Sequence, residues 1–362
     1  MRAVTATNHH PTIAVDANPL TRQVITGTEL YSRELCRRLP AAAPDLNFQF
    51  YAARPAPEAG VDLIVAPLPR LWTQVRLPIE MARARPDLLF VPAHAVPFMT
   101  RRPSVLTVHD LAYERFPQAY RPAQLTYLKA AISWAERRCR LLVTVSESTR
   151  DDLVELHGVD PARIRVTPPG GGEPAPPGDP ERDRRLLAEL GIQEPFLLHV
   201  GRLEARKNQL TAARAARRAD LTLVCAGPES DPETVAALQR SVAVKLVGIV
   251  PNEVREALYR RALALVFPSL YEGFGFPVLE AMRNGLPVIT VAHSSLPETA
   301  GEAAIYVEDP RDVEGITEAI ERVRDDSALR ERLGAAGRER AAAFSWDRCA
   351  EQTADVLREA LN

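Results

Sequence analysis

Short apolar runs alternate with helical patterns along almost the whole chain. In the first half, TIAVD (12–16), LNFQFY (46–51), DLLFVP (87–92), SVLTVHD (104–110), RLLVTVS (140–146) and RIRVTP (163–168) read as strands. They are near-continuous Val/Ile/Leu runs rather than alternating ones, the mark of parallel strands covered on both faces. Helices are predicted between them at Thr28–Leu39, Pro78–Arg85, Pro122–Arg138 and Thr149–His157. Pro78 and Pro122 suit a first helical turn, and Ser148 with Asp151 forms a capping-box pattern. The second half repeats the scheme with FLLHVG (196–201), LTLVCAG (221–227), AVKLVG (243–248), LALVFP (263–268), PVITV (287–291) and AIYV (304–307).

Between the halves lies PPGGGEPAPPGDP, residues 168–180, with six Pro and four Gly in thirteen residues. Such a tract continues neither a helix nor a central strand, so it reads as a linker. The expected organisation is a first domain over 1–167, the linker 168–180, a second domain over 181–345, and a terminal segment 346–362. Two βαβ-rich halves imply two doubly wound α/β domains whose ligands bind at the carboxyl ends of the strands.

Composition adds exclusions. The 362 residues are 46% hydrophobic and 25% charged, which suits two globular domains and no disordered or fibrous chain. No run approaches 18 apolar residues, so no transmembrane helix is expected, and the first ten residues carry no secretory h-region. Cys36, Cys139, Cys225 and Cys349 are dispersed, as in buried reduced thiols of a cytoplasmic protein. Net charge is −2 overall, but +5 over residues 1–172 and −7 over 173–362. No strongly basic domain or reading motif suggests nucleic acid.

The chemistry-bearing residues fall at predicted strand ends. Gly27 lies between the first strand and its helix, where a missing Cβ admits a ligand and a helix N-terminus favours an anion. It belongs to no GxGxxG fingerprint. His109 and Asp110 end SVLTVHD, placed for sugar hydroxyls or developing charge, or for a structural role and a helix cap. His94 with His109 lacks a third ligand, so no metal is expected. Gly201 ends FLLHVG and Arg202 and Lys207 follow it, and two cations five residues apart at a strand-to-helix turn suit a diphosphate. In YEGFGFPVLE, Glu272 on the loop and Glu280 inside the helix bracket GFGFP, where loop amides receive phosphate and carboxylates receive polyol hydroxyls. Ser295 and Glu298 read as a capping box.

Together these segments resemble the family-4 retaining glycosyltransferases (glycosyltransferase group 1), of GT-B architecture. The resemblance runs through the early Gly loop, TVHDLAYERFPQAY, VTVSEST, HVGRLEARKN, YEGFGFPVLEAMRNGLPVI, SSLPETAGEAA and FSWDRCAEQTADVL. It implies two Rossmann-like domains facing across a cleft, with 346–361 crossing back to the first. It implies a nucleotide-diphosphate sugar as co-substrate and no cofactor. Glu272 would hold donor-sugar hydroxyls and Glu280 the ribose. Arg202 and Lys207 would clamp the diphosphate, and Gly273, Phe274 and Gly275 would line the donor site. Gly27 would let the first domain close on the phosphates, and His109 would lie over the sugar. The 247–250 turn, with Val247 and Gly248, would touch the base. Two departures stand out: TGTEL has one Gly where many members have two, and TPPGGG replaces the common Pro-Asn-Gly.

Family retention implies front-face attack, in which charge on the leaving phosphate needs stabilising. Cations are present and no D-x-D metal motif occurs, so metal independence is expected. The YEGFG-x-PVLEAM style is frequent among mannosyl- and rhamnosyl-type members of that family, so the resemblance implies mannose from GDP-mannose and a glycan or lipid-linked acceptor. The competing readings are a GT-B epimerase or hydrolase acting on a nucleotide sugar, and a catalytically idle nucleotide-sugar-binding subunit. Between 70 and 102 lie Arg70, Arg76, Arg83, Arg85, Arg101 and Arg102 against Glu80 and Asp87. With Trp72 at the interface, that segment is a candidate for peripheral contact with anionic headgroups at the inner membrane face. A packed helix with solvated arginines is the alternative.

Overall fold

The computed structural model describes residues 10–362 except Pro69 and His94. It divides into two units. The first comprises the described residues up to Tyr113, Tyr120–Pro169 and Trp346–Asn362; the second comprises Glu114–Ala119 and Gly170–Ser345. The chain passes between them inside the Pro/Gly tract and returns at Trp346. Glu114–Ala119 differs from the expectation of one first domain over 1–167: Phe116 lies 6.3 Å, ring to ring, from Tyr271 and groups with the second unit.

The first unit carries a seven-stranded sheet of β1 (Thr12–Asp16), β2 (Asn47–Ala52), β3 (Leu63–Val65), β4 (Leu88–Val91), β5 (Ser104–Val108), β6 (Leu141–Thr144) and β7 (Ile164–Val166), in the order β3-β2-β1-β4-β5-β6-β7. Every pairing is parallel. Its helices are α1 (Gly27–Ala42), α2 (Leu77–Ala84), the start of α3 (Ala112–Arg115), α4 (Pro122–Arg138) and α5 (Glu147–His157). β3 escapes the hydrophobic pattern because it is three residues long, at the sheet edge, with Ile64 and Val65 exposed. A π-helical turn, Trp72–Arg76, runs straight into α2, so helix continues across Pro78, which sits in the first turn and needs no N–H donor there. Trp72 is not at the surface. It is 4% exposed and donates Nε1–H to Ala66 O at 2.8 Å, which removes it as an interfacial anchor.

Ser146, not Ser148, caps α5: its Oγ accepts from Thr149 N at 3.1 Å. The strand ends at Thr144, so the helix starts earlier than the pattern suggests. All four cysteines are buried and free. Among the described residues no helix is long and apolar enough to cross a membrane.

The second unit opens with α6 (Pro180–Glu189). Its sheet is β8 (Phe196–Val200), β9 (Thr222–Ala226), β10 (Val244–Gly248), β11 (Ala264–Phe267), β12 (Val288–Val291) and β13 (Ile305–Val307), parallel throughout, in the order β10-β9-β8-β11-β12-β13. The helices between and after the strands are α7 (Gln209–Arg218), α8 (Pro232–Gln239), α9 (Asn252–Arg261), α10 (Phe276–Arg283), α11 (Leu296–Ala300), α12 (Val313–Asp325) and α13 (Ser327–Ala342). The core is aliphatic, with Leu197, Leu223, Ala212, Val266 and Ile320 among its buried members. The last helix, α14 (Trp346–Leu361), belongs to the first unit. There Arg38 meets Asp347 at 2.8 Å and Arg358 meets Asp45 at 2.6 Å.

Both sheets reverse their strand order once, between β1 and β4 and between β8 and β11. Parallel α/β sheets open a ligand crevice outside the carboxyl ends at such a reversal.

Candidate functional site

The second unit's reversal gathers most of the expected site residues. β8 ends at Gly201 with φ +149°, and β9 runs into Gly227 with φ +147°. β10 ends at Gly248 with φ +65°. Backbone bonds join the three ends: Gly201 N to Ala226 O at 2.9 Å and Gly227 N to Gly248 O at 2.8 Å. A Cβ at Gly227 would stand 2.0 Å from Gly201 O. Only glycine permits that approach at Gly227, and LTLVCAG, like HVG before it and LVG after it, reads as a strand ending in Gly.

After Gly201 the chain turns through Arg202 to Lys207. Arg202 is exposed; its carbonyl accepts from Gln209 Nε2 at 2.6 Å. Asn208, with φ +58°, turns the chain into α7 and donates Nδ2–H to Pro268 O at 3.1 Å and Pro310 O at 2.5 Å. That turn sends the Lys207 side chain inward. Its Nζ lies 2.5 Å from Glu272 Oε1 and 2.7 Å from Oε2, both residues being buried. Arg206 Nη1 donates to Tyr271 O at 2.6 Å and stands 3.9 Å from Glu272 Oε2. Burial alone would raise the Glu272 carboxyl, but the Lys207 and Arg206 cations outweigh it and hold it below its ordinary value. Burial draws the Lys207 ammonium below its ordinary value, against the pull of Glu272.

The Glu272 backbone is held on both sides. Its N–H goes to Ser294 Oγ at 2.9 Å, and its carbonyl accepts from Ser295 Oγ at 2.9 Å. Ser295 therefore serves the loop and makes no side-chain cap on α11, contrary to the capping-box pattern. Thr299 Oγ1 donates to Phe274 O. Gly273, Phe274 and Gly275 form a buried loop, and Gly275 turns it into α10 with φ +99°. Among the described residues, the N–H groups of these three have no backbone acceptor. Buried N–H groups without partners are rare in folded proteins, and here three stand at a helix N-terminus.

One turn inside α10, Glu280 accepts from Tyr259 Oη at 2.7 Å, with Arg255 4.0 Å away. Burial and the Glu280 charge raise the Tyr259 hydroxyl well above its ordinary value, so it stays a donor. Val247 and Gly248 lie at the β10 end, followed by exposed Ile249. Arg206, Asn208, Tyr259 and Arg255 carried no signal in the sequence, because their roles depend on contacts between distant turns.

In the first unit, Gly27 is the first residue of α1. Thr26 N donates to Glu29 Oε2 at 3.0 Å, completing a reciprocal cap with the Thr26 side chain. His109 Nε2 lies 2.8 Å from Pro92 O, and Tyr31 packs edge-on at 4.9 Å. Asp110 Oδ1 accepts from Ala112 N at 3.0 Å, the capping role. His94 lies outside the described residues. Asp16, at the carboxyl end of β1, is a buried acid pushed up to about 7 by desolvation, against a bond from Asn18 N.

Family profiles match both halves: glycosyltransferase family 4 over residues 25–170 and glycosyl transferases group 1 over residues 184–340. The O-antigen chain mannosyltransferase B of Escherichia coli is 31% identical over 267 residues, covering 70% of each chain. The chain belongs to the group 1, family 4 glycosyltransferases. The glycogen synthase of Mycobacterium tuberculosis is 32% identical over 289 residues, 76% of this chain and 68% of that one. The crystal structure of Anabaena Alr3699/HepE with UDP-glucose matches at a TM-score of 0.75 and 18% identity, over 97% of this glycosyltransferase and 100% of that chain. WaaG, a glycosyltransferase involved in lipopolysaccharide biosynthesis, matches at 0.72 and 18%, over 95% and 99%. The fold of this glycosyltransferase is GT-B.

Proposed function

We propose that this glycosyltransferase moves a hexose, mannose from GDP-mannose, to a glycan or lipid-linked acceptor with retention and without a metal. The observation that carries the reading is the buried Gly273–Phe274–Gly275 loop, three N–H groups with no backbone acceptor among the described residues, between two carboxylates and beside Lys207. In the proposal Lys207 and exposed Arg202 take the diphosphate. Glu272 serves the sugar and Glu280 the ribose, while the turn at Val247 and Gly248 lies along the base. The acceptor oxygen bonds to the anomeric carbon on the face the diphosphate leaves. The bond to the phosphate oxygen breaks, and that oxygen takes the acceptor proton. The mannosyltransferase among the relatives supports the choice of sugar; the glycogen synthase keeps glucose as the competing donor.

A thermal-shift panel of GDP, UDP, ADP and dTDP with their sugars tests the donor. A ligand at 100 times its dissociation constant adds about 2.7 kcal/mol. The reading expects GDP and GDP-mannose to stabilise most, and turnover to persist in EDTA. A response confined to UDP sugars replaces the donor, and a rate that returns only with added Mg²⁺ or Mn²⁺ removes metal independence.

We also propose peripheral contact with anionic lipid, on different side chains from those first expected. Leu71 and Met99 are 71% and 79% exposed, Val75 and Ile79 are exposed one and two turns after Leu71 in sequence, and Arg70, Arg83, Arg85 and Arg101 are exposed. Co-sedimentation with anionic vesicles, lost in Leu71→Ser with Met99→Ser, is the expected outcome; equal binding to neutral vesicles contradicts it.

A further inference from the structure

The Lys207–Glu272 pair asks why two groups meant for a ligand are spent on each other. Lys207 is 9% exposed and Glu272 7%. A buried ammonium costs free energy unless a counter-charge and hydrogen bonds hold it. Each element around Lys207 has a charged or titratable group to consider. Glu272 touches Nζ from the loop before α10. Arg206, next in sequence, is anchored to Glu204 at 2.7 Å and to Tyr271 O. His199, on β8, is fully buried, with Nδ1 2.9 Å from Val266 O and Nε2 without a partner. Its ring stacks on Phe267 at 5.1 Å, and Lys207 Nζ lies 5.6 Å from the centre of the same ring.

Only one member of this cluster can balance the ammonium at hydrogen-bond range. Arg206 adds positive charge, and Glu204 is engaged by Arg206. His199 is neutral above its pKa of about 4, which burial depresses. Glu272 itself is immobilised through Ser294 and Ser295, so it cannot follow a departing lysine. We propose that Glu272 is a positioning residue for Lys207, holding the buried ammonium in place and in its charged form where the donor diphosphate arrives. This job is additional to any contact with the sugar and rests on the donor site proposed above. Without Glu272, burial and Arg206 act on Lys207 unopposed, and the proton leaves at lower pH.

The chain has three lysines, Lys129, Lys207 and Lys245, so the test reads Lys207 directly. Lysine Cε and Nζ resonances are followed against pH in the full-length protein, with Lys207→Arg identifying the Lys207 signal. The proposal expects the Lys207 titration to fall by at least one pH unit in Glu272→Gln while Lys129 and Lys245 stay put. It also expects the variant's kcat/KM, relative to wild type, to drop further as pH rises from 6 to 9, by up to about tenfold for each pH unit that the titration falls. Adding Lys207→Arg to Glu272→Gln should flatten that added pH dependence, because a guanidinium stays charged. An unmoved Lys207 titration, or a loss equal at every pH, overturns the proposal. Should Glu272→Gln not fold, Glu272→Asp gives the same readout through a carboxylate drawn back from Nζ. Nucleotide-induced thermal shifts in wild type are read separately. Their absence would remove the donor-site reading and leave the titration result intact.

Discussion

Charged side chains decide most at the residue scale, because the ones that matter here are buried. Asp16 shows the sign clearly. Its carboxyl moves from 3.8 to about 7 through desolvation. Between those values the folded chain holds a proton that the unfolded chain has released. Stability is therefore greatest below the lower value and falls as pH rises to 7, by up to about 4 kcal/mol. Asp16→Asn keeps an oxygen for Asn18 N and does not titrate. Urea unfolding should show the variant gaining about 2 kcal/mol or more on wild type between pH 5 and 8; a constant difference would refute the protonated acid. For the Lys207–Glu272 pair, stability and activity should separate. Removing Glu272 alone strands a buried cation and costs about 3–5 kcal/mol. Lys207→Met with Glu272→Leu should recover most of that stability while turnover stays lost. A double variant no more stable than the single one would deny that the pair is a desolvated unit.

Elements were more legible than side-chain partners. The Val/Ile/Leu runs located twelve of the thirteen strands seen among the described residues, because parallel strands covered on both faces leave an unbroken apolar signature. β3 left none, being short and exposed at an edge. The π-helical entry to α2 was hidden because a proline reads as a stop when its turn can instead widen ahead of it. GFGFP marked the loop before α10, yet the serines and threonine that fix it read as a helix start, since their bonds span more than twenty residues. The glycine edge gives a paired prediction. Gly227→Ala puts a Cβ 2.0 Å from Gly201 O and should destabilise by about 3 kcal/mol or more. Gly248→Ala has φ +65° and nothing within 4 Å, so it should cost about 1–2 kcal/mol. Similar losses in chemical denaturation would mean the three strand ends do not depend on that close approach.

For the whole molecule, the terminal helix joins the two ends of the sequence. α14 is coded last, yet it packs in the first unit, burying Trp346, Cys349, Ala350, Ala354, Val356 and Leu357. At about 1.5–3 kcal/mol for each large buried side chain, its removal rivals the total stability of a domain. A chain ending at Ser345 should therefore lose amide protection across β1–β7 and keep it across β8–β13. Native protection in both sheets would show that α14 is an accessory.

The proposed activity is hexosyl transfer from a nucleotide-diphosphate sugar at a cationic, glycine-floored site. It is tested most directly by following nucleotide diphosphate released from GDP-mannose with acceptor present, in wild type and in Arg202→Ala. Arg202 is exposed after the strand end, and among the described residues its side chain makes no hydrogen bond or ion pair. The account predicts that the variant folds as wild type and turns over on the order of 10²-fold more slowly, as expected when charge on the leaving group goes unstabilised. Wild-type turnover by Arg202→Ala would contradict it.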